Sequence, residues 1–421
     1  MTSHQLGTSG APRPAASRSA RPAGGGLSPA RAERMRAVLR RDVDSGRLPG
    51  VVGLVARRGA EHVEVIGSQS FDGAPMRRDS IFRLASMTKP ITAVAAMILV
   101  EECRLRLDEP VDEWLPELRD RKVLRTLDGP LDDTVPAIRS ITLRDLLTFR
   151  SGYGEVLFSA PGCPMHRALV EARLPLAEWL FDGTPDEFMK RLGALPLAHQ
   201  PGERWLYHMS ADILGVLIAR ASGRSFGAFL RERVLGPLGM KDTGFSVPDA
   251  KLDRLTVCYR TDPSSGQVAV HDDARGGLFT QARVFESGGG GMVSTVDDML
   301  AFGQMLLNQG AYGRERILSR PSVVLMTTDH LTPEQKATSP FFPHFWDSFG
   351  WGLGLSVVTR RSELARGPGC FGWDGTFGTS FYVDPSEALV GILMSQRVPD
   401  AFAMPAVVGD FWTSAYQAID D

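Results

Sequence analysis

Ser86 and Lys89 stand three residues apart in the stretch Phe82-Arg83-Leu84-Ala85-Ser86-Met87-Thr88-Lys89-Pro90. A serine hydroxyl is a weak nucleophile until a neighbouring base takes its proton, and an amine can be that base only where its own proton is easily lost. Ile91, Val94, Ala95 and Ile98 follow at i, i+3, i+4, i+7 spacing, which predicts a helix with one buried face. In a helix that begins near Ser86 the two side chains lie on one side. Burial and the positive end of the helix both disfavour an ammonium there, which suits Lys89 to act as a base. The alternative, a capping serine beside a surface lysine, must contend with a chain poor in lysine, in which no other lysine has a serine three places before it.

A serine–lysine pair needs a third polar group to pass the proton on and two donors for an oxyanion. Pro201-Gly202-Glu203-Arg204-Trp205-Leu206-Tyr207-His208-Met209-Ser210 offers a tyrosine on a loop ahead of a helix, although a lone tyrosine there is more simply a half-buried one. Gly372-Trp373-Asp374-Gly375-Thr376-Phe377-Gly378 leads into a strand, and its glycines allow backbone N–H groups to come close to a substrate. Its plainer reading is a hairpin turn.

The elements that would carry these stretches are legible in outline. Residues 28–45 predict a helix with Met35, Val38 and Leu39 inward, and residues 51–57 and 62–67 predict a β-hairpin turned at Gly59. Residues 106–284 read as mainly helices and long loops: Thr142 with Asp145 forms a capping-box variant, and Ser210 and Ser225 stand as caps of later helices. Gly223 ends the first of these. Thr295 with Asp298 predicts another capped helix. Strand texture returns at residues 351–358, 379–383 and 388–395, the last two joined at Asp384-Pro385, and a final helix covers residues 406–419. Gly288-Gly289-Gly290-Gly291 lacks the Gly-Lys-Ser/Thr of a phosphate loop and reads as close backbone packing. Strands at both chain ends imply a largely antiparallel sheet, since the hairpins are local.

Composition bounds the function. The 421 residues carry a formal net charge of −2, which argues against a nucleic-acid-binding or basic membrane-binding face. Cys103, Cys163, Cys258 and Cys370 are scattered without a zinc spacing, as expected of buried free thiols in a reducing compartment. No apolar run is long enough to span a bilayer. Residues 1–27, rich in Ser, Ala, Pro, Arg and Gly, have no apolar signal core and read as a disordered tail that packs against nothing. The expected location is the cytoplasm.

Ser86-Met87-Thr88-Lys89, Tyr207-His208-Met209 and Trp373-Asp374-Gly375, in that order, resemble the S-x-x-K, Y-x-N and K/H-T-G motifs of the serine β-lactamase/penicillin-binding-protein superfamily. The class C-like branch, which includes the family VIII carboxylesterases, is the nearest in pattern. Leu146-Leu147-Thr148-Phe149-Arg150-Ser151-Gly152, Pro201-Gly202-Glu203, Leu235-Gly236-Pro237-Leu238-Gly239-Met240 and Asp384-Pro385 are similar to its flanking phrases. The resemblance covers residue 28 to the C-terminus. It implies an α+β, β-lactamase-like fold: an antiparallel sheet flanked by the N- and C-terminal helices (residues 28–105 and 285–421) with a mainly helical inserted part (106–284).

It also implies roles. Ser86 would be acylated, Lys89 would be its base, Tyr207 would relay the proton, and the N–H groups of Ser86 and Thr376 would form the oxyanion hole. Trp373, Asp374, Gly375 and Met209 fall at substrate-binding positions. Two departures matter. Met209 replaces the usual asparagine, with His208 and Ser210 the candidates to stand in for it. Trp373 replaces the lysine or histidine that meets a substrate carboxylate, and offers an indole N–H without charge. The expectation is a carboxylesterase on small to medium acyl esters, needing no metal or cofactor. The rivals are acyl transfer to another acceptor, β-lactam or D-amino-acid amide hydrolysis, and a catalytically silent binding or scaffold protein. The sequence does not specify the oligomeric state.

Overall fold

The computed structural model describes residues 23–155, 162–174, 180–399 and 405–421. A seven-stranded sheet forms its centre, with α1 (Pro29–Asp44) leading into β1 (Gly50–Arg57) and β2 (Ala60–Gly67). After α2 (Thr88–Glu101), α3 (Leu143–Leu147), α4 (Met209–Ser222) and α5 (Val296–Leu307), the chain returns through β3 (Phe349–Trp351), β4 (Ser356–Val358), β5 (Phe371–Gly375), β6 (Thr379–Asp384) and β7 (Leu389–Met394), and ends in α6 (Ala406–Gln417). The strand order is β3-β4-β5-β6-β7-β1-β2. Every pair is antiparallel, and the last strand closes onto the first through Arg57 opposite Leu389 and Val52 opposite Met394.

β1 is buried along its whole length because both faces of the sheet are covered. Its side chains alternate between two cores, as a pleated strand requires. Val52, Leu54 and Ala56 join the main core, which also holds Ile91, Val94 and Ile98 of α2 and much of α4 and α5. Val51 and Val55 face Met35, Leu39, Phe411 and Trp412 of α1 and α6. Gly53 keeps that side thin: a Cβ there would lie 3.1 Å from both Leu39 and Phe411.

The capping box at Thr142 and Asp145 forms, Ser225 caps the helix Phe226–Leu230, and Gly223 ends α4 at φ 70°. Several local expectations are revised. Residues 351–358 make a tight hairpin rather than one strand, because Gly354 turns at φ 74° and gives its N–H to the Leu147 carbonyl. Ser210 lies inside α4 and pairs with Ser151, while His208 occupies the cap position. Asp298 accepts from the Asp242 N–H and Thr243 instead of reaching back to Thr295. Cys103 is an exposed thiol, whereas Cys163, Cys258 and Cys370 are buried.

The expected tail also ends earlier than Leu27. Ala23–Gly26 form a 3-10 turn whose Gly25 and Gly26 carbonyls accept from buried Arg57, and Leu27 bridges to Ile419. Residues 1–22 lie outside the described residues. Among the described residues, no single helix is long and apolar enough to cross a membrane.

Candidate active site

Ser86 sits in the 3-10 turn Ala85–Met87, immediately ahead of α2. Ala85 adopts φ 45°, an uncommon backbone for a residue with a Cβ. Lys89 is the second residue of α2, and its Nζ lies 2.8 Å from Ser86 Oγ. Both side chains are buried. Burial is the main influence on the amine and lowers its pKa to about 7, against the opposing pull of Asp212 and Glu155. Such a lysine is substantially neutral at physiological pH.

Three further groups surround Nζ. It donates to the Gly289 carbonyl at 2.6 Å, lies 3.2 Å from His208 Nδ1, and stands 4.6 Å from the centre of the Tyr207 ring. The glycine run is thus close-packed backbone that delivers a carbonyl to the lysine. Gly288 makes the approach possible, since a Cβ there would meet the Ala211 carbonyl at 2.3 Å.

Tyr207 is held by backbone contacts on both sides of it. Leu206 donates to the Phe149 carbonyl, and the Tyr207 carbonyl accepts from Glu155. Its phenol oxygen accepts from the indole N–H of Trp373 at 2.7 Å. Burial pushes the phenol pKa well up, although hydrogen bonding with Ser86 and Trp373 acts the other way. Tyr207 is therefore a neutral phenol at rest.

The turn at residues 376–378 between β5 and β6 closes the site from the other side. A Cβ on Gly375 would fall 2.3 Å from the Leu84 carbonyl, and Thr379 Oγ1 donates to that same carbonyl. Glycine at 375 therefore lets the strand end lie against the backbone that leads into Ser86, with Thr376 next in the turn. Gly375 acts in this close approach rather than through a side chain.

Asp374 and Met209 depart from their expected places at a substrate. Successive residues of β5 point to opposite faces, so Trp373 faces Tyr207 while the Asp374 carboxylate accepts from Ser380 and Tyr382. Burial, the largest influence, raises the Asp374 pKa. Met209 is fully buried in the main core, where it offers no surface to a ligand.

Two features were not read from the sequence. Phe149, Trp205, Tyr207, Trp351 and Trp373 form a separate buried aromatic cluster, against which Phe341 and Phe345 pack. The second is Asp212, one helical turn into α4. It is fully buried, 3.2 Å from His208 Nε2, and accepts from Ser287 Oγ at 2.6 Å and the Gly289 N–H at 3.0 Å. Burial, its largest influence, acts to raise its pKa, but the adjacent His208 imidazole and hydrogen bonds from Ser287 and Gly289 prevail and lower it. The spacing His208-x-x-x-Asp212 in a helix start was the available signal. Among the described residues, no group of three or more His, Cys, Asp or Glu could hold a metal ion.

The Ser86 turn, the tyrosine loop and the glycine-ended strand thus meet around one buried lysine, in the order of the three sequence motifs. A sequence profile of the Beta-lactamase family matches residues 35–407. The chain belongs to the β-lactamase family. Within that family it is 43% identical to Protein Rv1367c of Mycobacterium tuberculosis over 385 residues, covering 89% of this chain and 92% of the relative. It is 32% identical to Esterase EstB of Burkholderia gladioli over 399 residues, covering 90% and 93%. The solved structure of EstCE1, described as a hydrolase with promiscuous acyltransferase activity, superposes with a TM-score of 0.75 at 25% identity. That match covers 93% of this chain and 98% of EstCE1.

Proposed function

We propose that this protein is a serine hydrolase that carries its acyl group on Ser86 and acts as a carboxylesterase on small to medium acyl esters. The observation that supports this reading best is the 2.8 Å contact between Ser86 Oγ and a buried Lys89 whose pKa is about 7. Neutral Lys89 takes the hydroxyl proton as Ser86 Oγ attacks the ester carbonyl. The N–H groups of Ser86 and Thr376 receive the oxyanion. Tyr207, a neutral phenol beside both Ser86 and Lys89, gives its proton to the departing alkoxide and regains one from Lys89. Water then attacks the acyl-enzyme, and the same groups run in reverse.

Ester preference follows from Trp373. A β-lactam presents a carboxylate beside its reactive ring, and a lysine in a partly desolvated cleft would meet it with a charge-assisted bond of about 1.5–3 kcal/mol. The indole carries no charge, and its N–H is already given to Tyr207. An uncharged ester loses nothing by this, and the aromatic cluster offers its acyl or alcohol chain an apolar wall. The relatives support the choice, since EstB is named an esterase. Acyl transfer to an alcohol is the second reading, favoured by the described activity of EstCE1 and by that apolar wall, which disfavours water.

The test is a panel of p-nitrophenyl esters of rising chain length run beside a chromogenic cephalosporin, with fluorophosphonate labelling read by mass spectrometry. The expected result is labelling at Ser86 that Ser86→Ala abolishes, together with ester turnover orders of magnitude above cephalosporin turnover. Wild-type turnover by Ser86→Ala would overturn the assignment. Equal rates on the two substrate classes would overturn the ester preference. Added alcohols, with the ester product followed by chromatography, distinguish transfer from hydrolysis.

A further inference from the structure

His208 has a backbone that histidine does not favour. At φ 76° and ψ −67°, with the Met209 N–H donating to the Tyr207 carbonyl at 3.2 Å, it is the centre of a γ-turn of the rare, strained hand. Glycine would adopt this conformation freely, so a histidine here stores strain. The turn has one evident geometric result: two consecutive side chains, Tyr207 and His208, both reach the same amine. The Tyr207 ring lies beside Lys89 Nζ and the His208 imidazole contacts it at Nδ1.

The imidazole is buried, and its other end faces a carboxylate. Nε2 is 3.2 Å from Asp212 Oδ2, an oblique contact. Asp212 is itself fixed by Ser287 and Gly289. Gly289 covers the pair closely, because a Cβ there would lie 3.0 Å from the imidazole and 3.1 Å from the Asp212 carboxylate. An ionised carboxylate only accepts hydrogen bonds, so the tautomer that suits this pair carries its proton on Nε2 and leaves Nδ1 with a lone pair.

The hydrogens of Lys89 can then be assigned. A neutral amine has two hydrogens and one lone pair. The Gly289 carbonyl accepts one hydrogen and His208 Nδ1 accepts the other, which turns the lone pair toward Ser86 Oγ. We propose that His208, oriented by Asp212, is a positioning residue that aims the Lys89 lone pair at the Ser86 hydroxyl, replacing the amide whose position is filled by Met209. This rests on the reading of Ser86 and Lys89 as nucleophile and base. Lys89 comes from α2, Asp212 from α4, Tyr207 from the same turn, and Glu155 acts from the loop after α3.

The experiment measures the second-order rate of fluorophosphonate labelling of Ser86 between pH 5.5 and 10, a readout independent of the natural substrate. It uses the full chain as wild type, Ser86→Ala, His208→Phe, His208→Asn and His208→Gly. His208→Phe keeps a ring without an acceptor, and should label about a hundredfold more slowly with ester KM little changed. Asparagine tolerates positive φ and offers a carbonyl acceptor in place of the imidazole nitrogen. His208→Asn should therefore recover to within about tenfold of wild type. His208→Gly, which fits the turn but has no acceptor, should remain slow. Labelling of His208→Phe within about threefold of wild type, or equal rates for His208→Asn and His208→Gly, overturns the proposal. The second comparison holds even if His208→Phe fails to fold. A wild type that is labelled no better than Ser86→Ala refutes the hydrolase reading, and this proposal with it, whereas a labelled wild type with equal Asn and Gly variants refutes the role of His208 alone.

Discussion

Burying Lys89 should leave a pH signature in the stability of the whole protein. Its pKa falls from an ordinary 10.5 to about 7 in the folded chain, with burial as the main cause. Below pH 7 the amine is protonated in both states and the folded state bears the full desolvation penalty. Between about pH 7 and 10.5 the unfolded chain holds a proton that the folded chain lacks, so stability rises with pH across that window. Above 10.5 both states are neutral and the penalty is gone. At about 1.36 kcal/mol per pKa unit, the rise between pH 7 and pH 9.5 is on the order of 3 kcal/mol. Lys89→Met removes the titration while keeping an unbranched side chain. It also leaves the Gly289 carbonyl and His208 Nδ1 without a donor, but that loss is largely independent of pH. The assay is guanidinium unfolding of wild type and Lys89→Met at both pH values. The expected outcome is a pH-dependent gain about 3 kcal/mol larger in the wild type, whatever the absolute stability of the variant. Equal pH slopes would refute the reasoning. In parallel, kcat/KM of the wild type should fall below about pH 7 as the base becomes protonated, and Lys89→Met should have no measurable turnover.

Trp373→Phe keeps the aromatic wall but removes the donor to Tyr207; kcat on p-nitrophenyl esters should fall about tenfold with KM nearly constant, and an unchanged kcat would exclude a role for that bond. Trp373→Lys should lose ester turnover without gaining cephalosporin turnover, because its ammonium would be buried among Tyr207, Trp351 and Phe341; efficient cephalosporin hydrolysis would refute this. A chain starting at residue 28 should melt a few degrees below one starting at residue 23, since buried Arg57 loses the carbonyls of Gly25 and Gly26, a cost of about 1–3 kcal/mol; coincident calorimetric melts would show that water replaces them.

The contact between Ser86 and Lys89 was legible because a spacing of three puts both on one side of a helix start, and the three motifs in order brought Tyr207 and Trp373 with them. The sheet was legible in outline, since Gly59 turns β1 back into β2, while β1 reads as a continuous apolar run because it separates two cores. What was hidden had physical reasons. The period-two rule, applied to β5, would have turned Asp374 away from Trp373, but a glycine-rich stretch read first as a turn. Nothing in a histidine announces a positive φ, so the His208 turn could not be foreseen, and Ser210 looked the better cap. The pairing of Phe341 and Phe345 with Trp373 depends on a loop crossing the site, and no periodicity records where a loop will land.

The closure of β7 onto β1 has a consequence for how the chain is made. Arg57 must wait for Leu389, more than 330 residues later, before its strand gains its second neighbour. At about 5–20 residues per second, synthesis of that interval takes roughly 15 to 70 seconds. Through that time β1, apolar on both sides, presents a bare edge, the kind of surface that pairs with other chains. Ser86 and Lys89 emerge soon after β1, yet Gly289 and Trp373 follow some 200 and 280 residues behind them. Nascent chains halted before residue 389 should therefore be sticky and unreactive toward a fluorophosphonate. Reactivity should appear only with the final strand, which makes the arrival of β7 a timestamp for the whole candidate site.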